Sequence, residues 1–159
     1  MSKFFNQKNF CIFILFTSLL VIFGALYIEH ILGAQPCILC KYQRWPYIVS
    51  IFISFVGYIN QKNKIWLYFL IFIFVLSFFL SGYHAGIENN LFPEFSGCSN
   101  NQINIDNKEE LLESLNAIPP NCRDVNFKIF GLSLATINVL ISLSVIFISY
   151  RIIKNEKNR

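Results

Sequence analysis

The chain reads as four apolar runs separated by polar segments. The runs are Phe10 to Ile28, Tyr47 to Ile59, Ile65 to Gly82 and Phe130 to Tyr150. Within them the apolar residues are continuous, with neither the alternation of a half-buried strand nor the stripe of an amphipathic helix. A helix that is apolar on all sides must be buried in protein or in lipid. A spanning helix needs about 20 apolar residues, within a range of about 17–25. The first, third and fourth runs meet this. The second has 13 residues, and reaches a spanning length only by starting near Gln43 or Arg44.

Composition supports lipid as the solvent. Of 159 residues, 55% are hydrophobic and 14% charged, and 18 are phenylalanine. Four apolar helices in so short a chain leave no polar shell to cover them. The pattern therefore predicts an all-α membrane protein, a single domain with four transmembrane helices. These lie at about 10–28, 45–59, 65–83 and 130–150, with loops at about 29–44 and 84–129. The first run follows Lys3 and Lys8 as a signal peptide would. It exceeds the usual apolar length of about 7–15 residues and lacks an A-x-A-like site, so it reads as a retained helix.

Charge placement orients the bundle. Lys3, Lys8, Lys62, Lys64, Arg151, Lys154, Lys157 and Arg159 share the two ends and the link between the second and third runs with one acid, Glu156. The remaining loops, 29–46 and 83–129, hold five Lys/Arg and eight acids. The positive-inside rule then places both termini in the cytoplasm and both larger loops outside. Tyr27, Tyr42, Trp45, Tyr47, Trp66, Tyr68, Tyr83 and Tyr150 lie near run ends, where amphipathic rings favour the interface. In the long loop Asp106 and Glu109 read as a capping-box-like start. Leu111, Leu112, Leu115 and Ile118 then share one face, as in a short helix lying on the membrane surface or packing on its own loop. The chain holds no phosphate-binding glycine motif and no basic tract of the kind that binds nucleic acid.

This topology sorts the five cysteines. Cys37 and Cys40 fall in the first outer loop, and Cys98 and Cys122 in the second. All four face a compartment where disulfides persist. Cys11 sits in an apolar run near the cytoplasmic side and reads as a small buried hydrophobe. Cys37-Ile38-Leu39-Cys40 is a C-x-x-C, with three common meanings. A zinc site would want a second C-x-x-C or paired histidines, and the chain has only His30 and His84. A c-type haem would want histidine at position 41, where Lys41 stands. A redox pair needs two sulfurs that close a small ring and a field favouring thiolate, which Lys41 and Arg44 would supply. The redox reading is preferred, with no metal assigned.

Arg44 precedes Trp45 and Pro46 at the start of the short second run. A spanning helix there draws the guanidinium toward headgroup depth. It either snorkels to phosphate or supports a thiolate and a reduced, anionic organic acceptor near Cys40. Cys98 and Cys122 either shuttle electrons or staple the long loop, a closure worth roughly 3–4 kcal/mol in the entropic account.

The run Gln35-Pro36-Cys37-Ile38-Leu39-Cys40-Lys41-Tyr42-Gln43-Arg44 resembles the P-C-x-L-C-x-x-Q-R signature of the DsbB family. Gly82-Tyr83-His84-Ala85-Gly86-Ile87-Glu88 is similar to the end of that family's third helix. Phe130-Gly131-Leu132-Ser133 through Asn138 is similar to the start of its fourth. Cys98 and Cys122 fall in its second outer loop. The resemblance implies a four-helix bundle in the bacterial inner membrane with its redox loops in the periplasm. It implies a thiol:quinone oxidoreductase that reoxidises a soluble thioredoxin-fold thiol oxidase (DsbA-like). The electrons pass to a membrane quinone, ubiquinone or menaquinone. By position Cys98 resembles the cysteine that forms the mixed disulfide with that partner, and Cys122 the one that exchanges with Cys37. Cys40 resembles the thiolate beside the quinone, and Arg44 its supporting arginine. His84 is placed near the quinone ring or, alternatively, as an interfacial histidine bonded within the bundle. Lys41, Asn126 and Lys128 depart from the commoner apolar or aromatic residues of the family, which bears on the partner more than on the reaction. Two rivals remain. A vitamin K epoxide reductase-like enzyme is disfavoured because there the loop cysteines precede the C-x-x-C. A tetraspan structural protein with two inert disulfides gives Arg44 no task.

Overall fold

The structure is a computed structural model that describes residues 6–61, 63–94, 97–98, 120–124 and 127–157. The amphipathic segment expected between Asp106 and Ile118 lies outside these. The described chain is mostly helical. It runs α1 (Gln7–His30), α2 (Ile38–Tyr42), α3 (Arg44–Ile59), α4 (Ile65–Glu88), β1 (Lys128–Ile129), β2 (Leu132–Ser133) and α5 (Leu134–Lys157).

Among the described residues three helices are long and apolar enough to cross a membrane: α1, α4 and the 134–154 part of α5. Each of the three helices has 24 residues, or about 36 Å at about 1.5 Å per residue. The second run does extend back to Arg44, yet α3 is still only 16 residues, about 24 Å. It stops short of the length of its neighbours. The third helix outruns its expected end near residue 83 and continues to Glu88. There Asn89 N–H bonds Ala85 O and Leu91 N–H bonds Gly86 O, while Asn90 takes a left-handed turn at φ 59°.

The expected start of the last helix at Phe130 is corrected. Lys128 pairs with Ser133 and Ile129 with Leu132 in a small antiparallel hairpin. Phe130 and Gly131 form its two-residue turn at φ 52° and 83°, a backbone sign that suits a hairpin and forbids a helix. Ser133 then caps α5, its Oγ accepting from Thr136 N at 3.2 Å, one of the orphan donors of a helix start.

α1 packs on α3, α3 on α4 and α4 on α5. The seam is unusually rich in serine: Ser18, Ser50, Ser54, Ser77, Ser81, Ser142 and Ser149 are all fully buried. The outer surface carries phenylalanine instead, with Phe16, Phe23, Phe52 and Phe79 each 65–67% exposed. Large apolar groups outside and small polar ones inside is the arrangement that lipid favours, since small residues let backbones approach closely there. Ser18 and Ser50 bond each other at 2.7 Å between α1 and α3. Phe10, Ile14, Tyr47, Leu67, Leu70, Phe74, Val145 and Ile152 fill the core. Tyr47 is therefore not the interfacial ring expected from its place near a run end. It is buried, edge-on to Phe74 at 5.9 Å, and donates its hydroxyl to Asn138. Cys11 is fully buried, as expected of a small hydrophobe.

Candidate functional site

A second buried cluster gathers Cys37, Leu39, Ile87, Cys98 and Cys122, with Cys40, Leu80 and Tyr83 against it. The two cysteine pairs, far apart in sequence, thus share one apolar nest at the end of α4. Cys98 and Cys122 are joined as a disulfide. Cys37 and Cys40 are unjoined, their sulfurs 2.6 Å apart. Roughly 0.6 Å of movement would bring them to the bond length of about 2.05 Å.

Local structure sets the two thiols apart. Cys37 is the N-cap of α2, extended at φ −64° and ψ 168°, and its sulfur accepts from Cys40 N at 3.1 Å. The Cys37 thiol is lowered from the ordinary 9.0 to about 5. The hydrogen bond from Cys40 contributes most, and His84 and the Cys40 backbone N–H add to it, while burial opposes. Cys40 moves the other way and keeps its proton, because it donates to Cys37 and because burial disfavours its charge. The field therefore comes from Cys40 and His84 rather than from Lys41 and Arg44, the expected source. Lys41 is exposed, and the Arg44 guanidinium is paired with Glu29. In the paired state the thiolate is on Cys37, not Cys40.

His84 reaches this site from α4. Its Nε2 lies 3.6 Å from Cys37 Sγ and 3.7 Å from Glu88 Oε1. Its Nδ1 lies 2.9 Å from Gln43 Nε2. An amide nitrogen can only donate, so this contact leaves Nδ1 bare and the ring proton on Nε2, aimed at the Cys37 sulfur. Gln43 Oε1 accepts in turn from Asn138 Nδ2 at 3.2 Å. Asn138 Oδ1 takes the Tyr47 hydroxyl and, at 3.4 Å, Ser77 Oγ, and Ser142 bonds Ser77 at 3.1 Å. A buried polar chain thus runs from the cysteine pair into the bundle. His84 is bonded within the bundle and also lies beside the thiols. Gln43, Asn138 and Tyr47 were not expected at this site from the sequence, where Tyr47 had been placed at the interface. Gln43 stood inside the signature motif, which was the available signal.

A cavity of about 310 Å³ opens beside this cluster. Leu20, Val21, Gly24 and Ile28 of α1 give it an apolar wall, and Cys37, Cys40, Arg44, His84 and Glu88 converge on it. Arg44 stands at the start of α3 and bonds Glu29 of α1 at 2.5 Å. The structure therefore brings Cys37, Cys40, Arg44 and His84 to one cavity, with Cys98 and Cys122 behind it. An apolar pocket with a few converging polar groups is the usual form of a site for a small organic molecule.

Comparison with known proteins agrees with this geometry. A probable disulfide formation protein C of Halalkalibacterium halodurans is 36% identical over 72 residues, covering 45% of this chain and 52% of that protein. An uncharacterised protein of Rickettsia prowazekii (strain Madrid E) is 28% identical over 137 residues, 82% of this chain and 78% of the other. The family model described as disulfide bond formation protein DsbB matches residues 7–151. A membrane chain with paired thiols against an apolar cavity, matched over nearly its whole length, belongs to the DsbB family, whose role is disulfide bond formation.

Proposed function

We propose that this protein is a thiol:quinone oxidoreductase of the bacterial inner membrane that reoxidises a soluble, DsbA-like thioredoxin-fold oxidase. The observation that carries this is the shared cavity. Cys37, Cys40, Arg44 and His84 face one apolar space beside α1, of a size that admits a small planar ring. Quinone bound there supplies the two-electron acceptor. In this reading α3 is the fourth, short span. Both termini are cytoplasmic, and the loops carrying the cysteine pairs face the periplasm.

The residues divide the work by chemistry. Cys98 exchanges with the reduced partner, and the electron pair arrives as free thiols. Cys122, as thiolate, attacks Cys37 of the Cys37–Cys40 disulfide and frees Cys40, and Cys98 then attacks Cys122, which re-forms the Cys98–Cys122 bond and leaves Cys37 and Cys40 as the reduced pair. Each exchange is thiolate attack on a disulfide sulfur. Closing the Cys37–Cys40 bond releases two electrons and two protons. The His84 Nε2 proton stabilises the Cys37 thiolate, and Arg44 faces the anionic product of reduction.

A second reading keeps Cys98–Cys122 as an inert staple, favoured by the burial of both sulfurs. One experiment separates them. Purified protein in detergent is mixed with a reduced thioredoxin-fold oxidase and a water-soluble quinone, and quinone absorbance is followed. Quinone loss that requires Cys37, Cys40 and the partner supports the reaction. No loss, with Cys98 and Cys122 inert to the partner, would leave the staple.

A further inference from the structure

The sulfur and nitrogen atoms around the C-x-x-C also form three sides of a metal site. Cys37 Sγ, Cys40 Sγ and a ring nitrogen of His84 all lie within 4.8 Å of one another. We infer that the reduced pair captures a thiophilic divalent cation such as Zn2+ through Cys37 Sγ, Cys40 Sγ, His84 Nε2 and the Glu88 carboxylate, and that the disulfide form does not.

The distances suit a tetrahedron. Zinc–sulfur bonds of about 2.3 Å and zinc–nitrogen bonds of about 2.0–2.1 Å put S and N roughly 3.6 Å apart. Cys37 Sγ and His84 Nε2 are 3.6 Å apart. Glu88 Oε1 lies 3.7 Å from the same nitrogen, close to the roughly 3.3–3.5 Å edge of two light ligands. The sulfur pair must open, from 2.6 Å to about 3.8 Å, and the Glu88 carboxylate, which lies outside the three-residue cluster, must swing in toward the sulfurs. Cys40 is the less buried of the two and borders the cavity, which gives it room and the ion a path. A disulfide holds its sulfurs at about 2.05 Å and has no thiolate to offer, so oxidation closes the site.

Both thiols must shed protons to ligate, and binding releases them. His84 must also bare Nε2 and carry its proton on Nδ1. Gln43 can meet this demand. Turning its amide by half a revolution presents Oε1 to Nδ1–H in place of Nε2, and Asn138 can answer with its own carbonyl. The carboxamide behind the histidine is then the outer partner that zinc histidines commonly have. With both sulfurs held by the ion, the Cys37–Cys40 disulfide cannot re-form, so the pair can neither pass on its electrons nor receive Cys122 again. Zinc would therefore arrest the reduced enzyme and spare the oxidised one. That consequence rests on the proposed thiol:quinone reaction, whereas the binding itself does not.

The test uses the full chain in detergent, with Cys98→Ala and Cys122→Ala so that the only thiols are Cys37, Cys40 and the buried Cys11. The reduced protein is titrated with Zn2+ against a chromophoric chelator, and with Co2+ to read thiolate charge-transfer and tetrahedral bands. One equivalent with both bands is expected, and none after oxidation to the Cys37–Cys40 disulfide. Gln43→Leu should weaken Zn2+ by about 10–100-fold, and His84→Gln by more. Absence of binding to the dithiol form, or an affinity unchanged by His84→Gln, would overturn the inference. Should the double variant fail to fold, mass-spectrometric mapping of the reduced wild type replaces it. Zn2+ must there protect Cys37 and Cys40 from alkylation, and unprotected thiols would be equally decisive against. Metal-free quinone reduction by the wild type keeps the readings apart: normal turnover without Zn2+ binding sinks only this inference, and Zn2+ binding without turnover sinks only the other.

Discussion

Glu29 and Arg44 join the last turn of α1 to the first turn of α3, carboxylate to guanidinium at 2.5 Å. The pair spans a loop that turns through Gly33 at φ 69°. With side chains 21% and 24% exposed for Arg44 and Glu29, it is worth about 1 kcal/mol. Its larger effect is directional: Arg44 is tethered at the cavity wall instead of reaching freely for lipid phosphate.

Arg44→Ala should therefore raise the apparent KM for a quinone analogue about tenfold, the equivalent of about 1.4 kcal/mol. Glu29→Gln keeps the guanidinium but loosens it, so a rise of about two- to fivefold is expected. Steady-state titration of quinone reads both. An unchanged KM in Arg44→Ala would reduce the ion pair to a fastener between helices.

Cys40→Ser removes the thiol that closes on Cys37. Quinone reduction should fall by at least about 10³-fold, because no disulfide can form at that position. A mixed disulfide with the partner through Cys98 should still be trapped on a non-reducing gel. Normal turnover would show that another thiol reduces the acceptor.

Asn138 accepts from Tyr47 and Ser77 and donates to Gln43. Asn138→Leu, of similar volume, removes the acceptor of the Tyr47 hydroxyl and leaves the Gln43 carbonyl without its donor. Each orphan costs about 1–3 kcal/mol, and the unfolding temperature in detergent should drop clearly. Adding Gln43→Leu should cost less than the sum of the two single changes, since both break the same chain. Strict additivity in thermal melts would mean the residues act separately.

Gly57 sits where α3 meets both α1 and α4. A methyl group there would lie 3.1 Å from Trp66 Cβ and 3.2 Å from Cys11 Sγ. Gly57→Ala should destabilise the bundle by about 1–2 kcal/mol, the range for overpacking. Cys11→Ala in the same chain should return part of that loss by clearing one of the two contacts. No recovery in the double variant would place the strain on Trp66 alone.

Much of this was legible in sequence because apolar length and charge placement are properties of single segments. The C-x-x-C, Arg44 and His84 were visible as residue types beside run ends. Pairings across segments were not. Nothing in the spacing ties Glu29 to Arg44, whose contact depends on how the loop through Gly33 returns. Tyr47 was read as an interfacial ring because it opens a run, whereas Ser50, Ser54 and Gly57 after it mark the inward face on which it lies. The helix expected from Phe130 failed at two left-handed residues, and only Gly131 announces that conformation by its type. His84 was associated with the site only through the family resemblance, since its 3.6 Å approach to Cys37 is a contact between segments that linear spacing does not show.

The brevity of α3 has a consequence for the bilayer around it. In the proposed topology α3 is a span of about 24 Å beside neighbours of about 36 Å, and the lipid must dimple to meet it, at a cost of fractions of a kcal/mol per Å. In the proposed topology the dent forms where α2 breaks away and the cysteines stand. The acyl region there is thinnest, so a greasy carrier sliding along the midplane has the least distance to climb before it meets sulfur, and a water-borne protein has the least distance to descend.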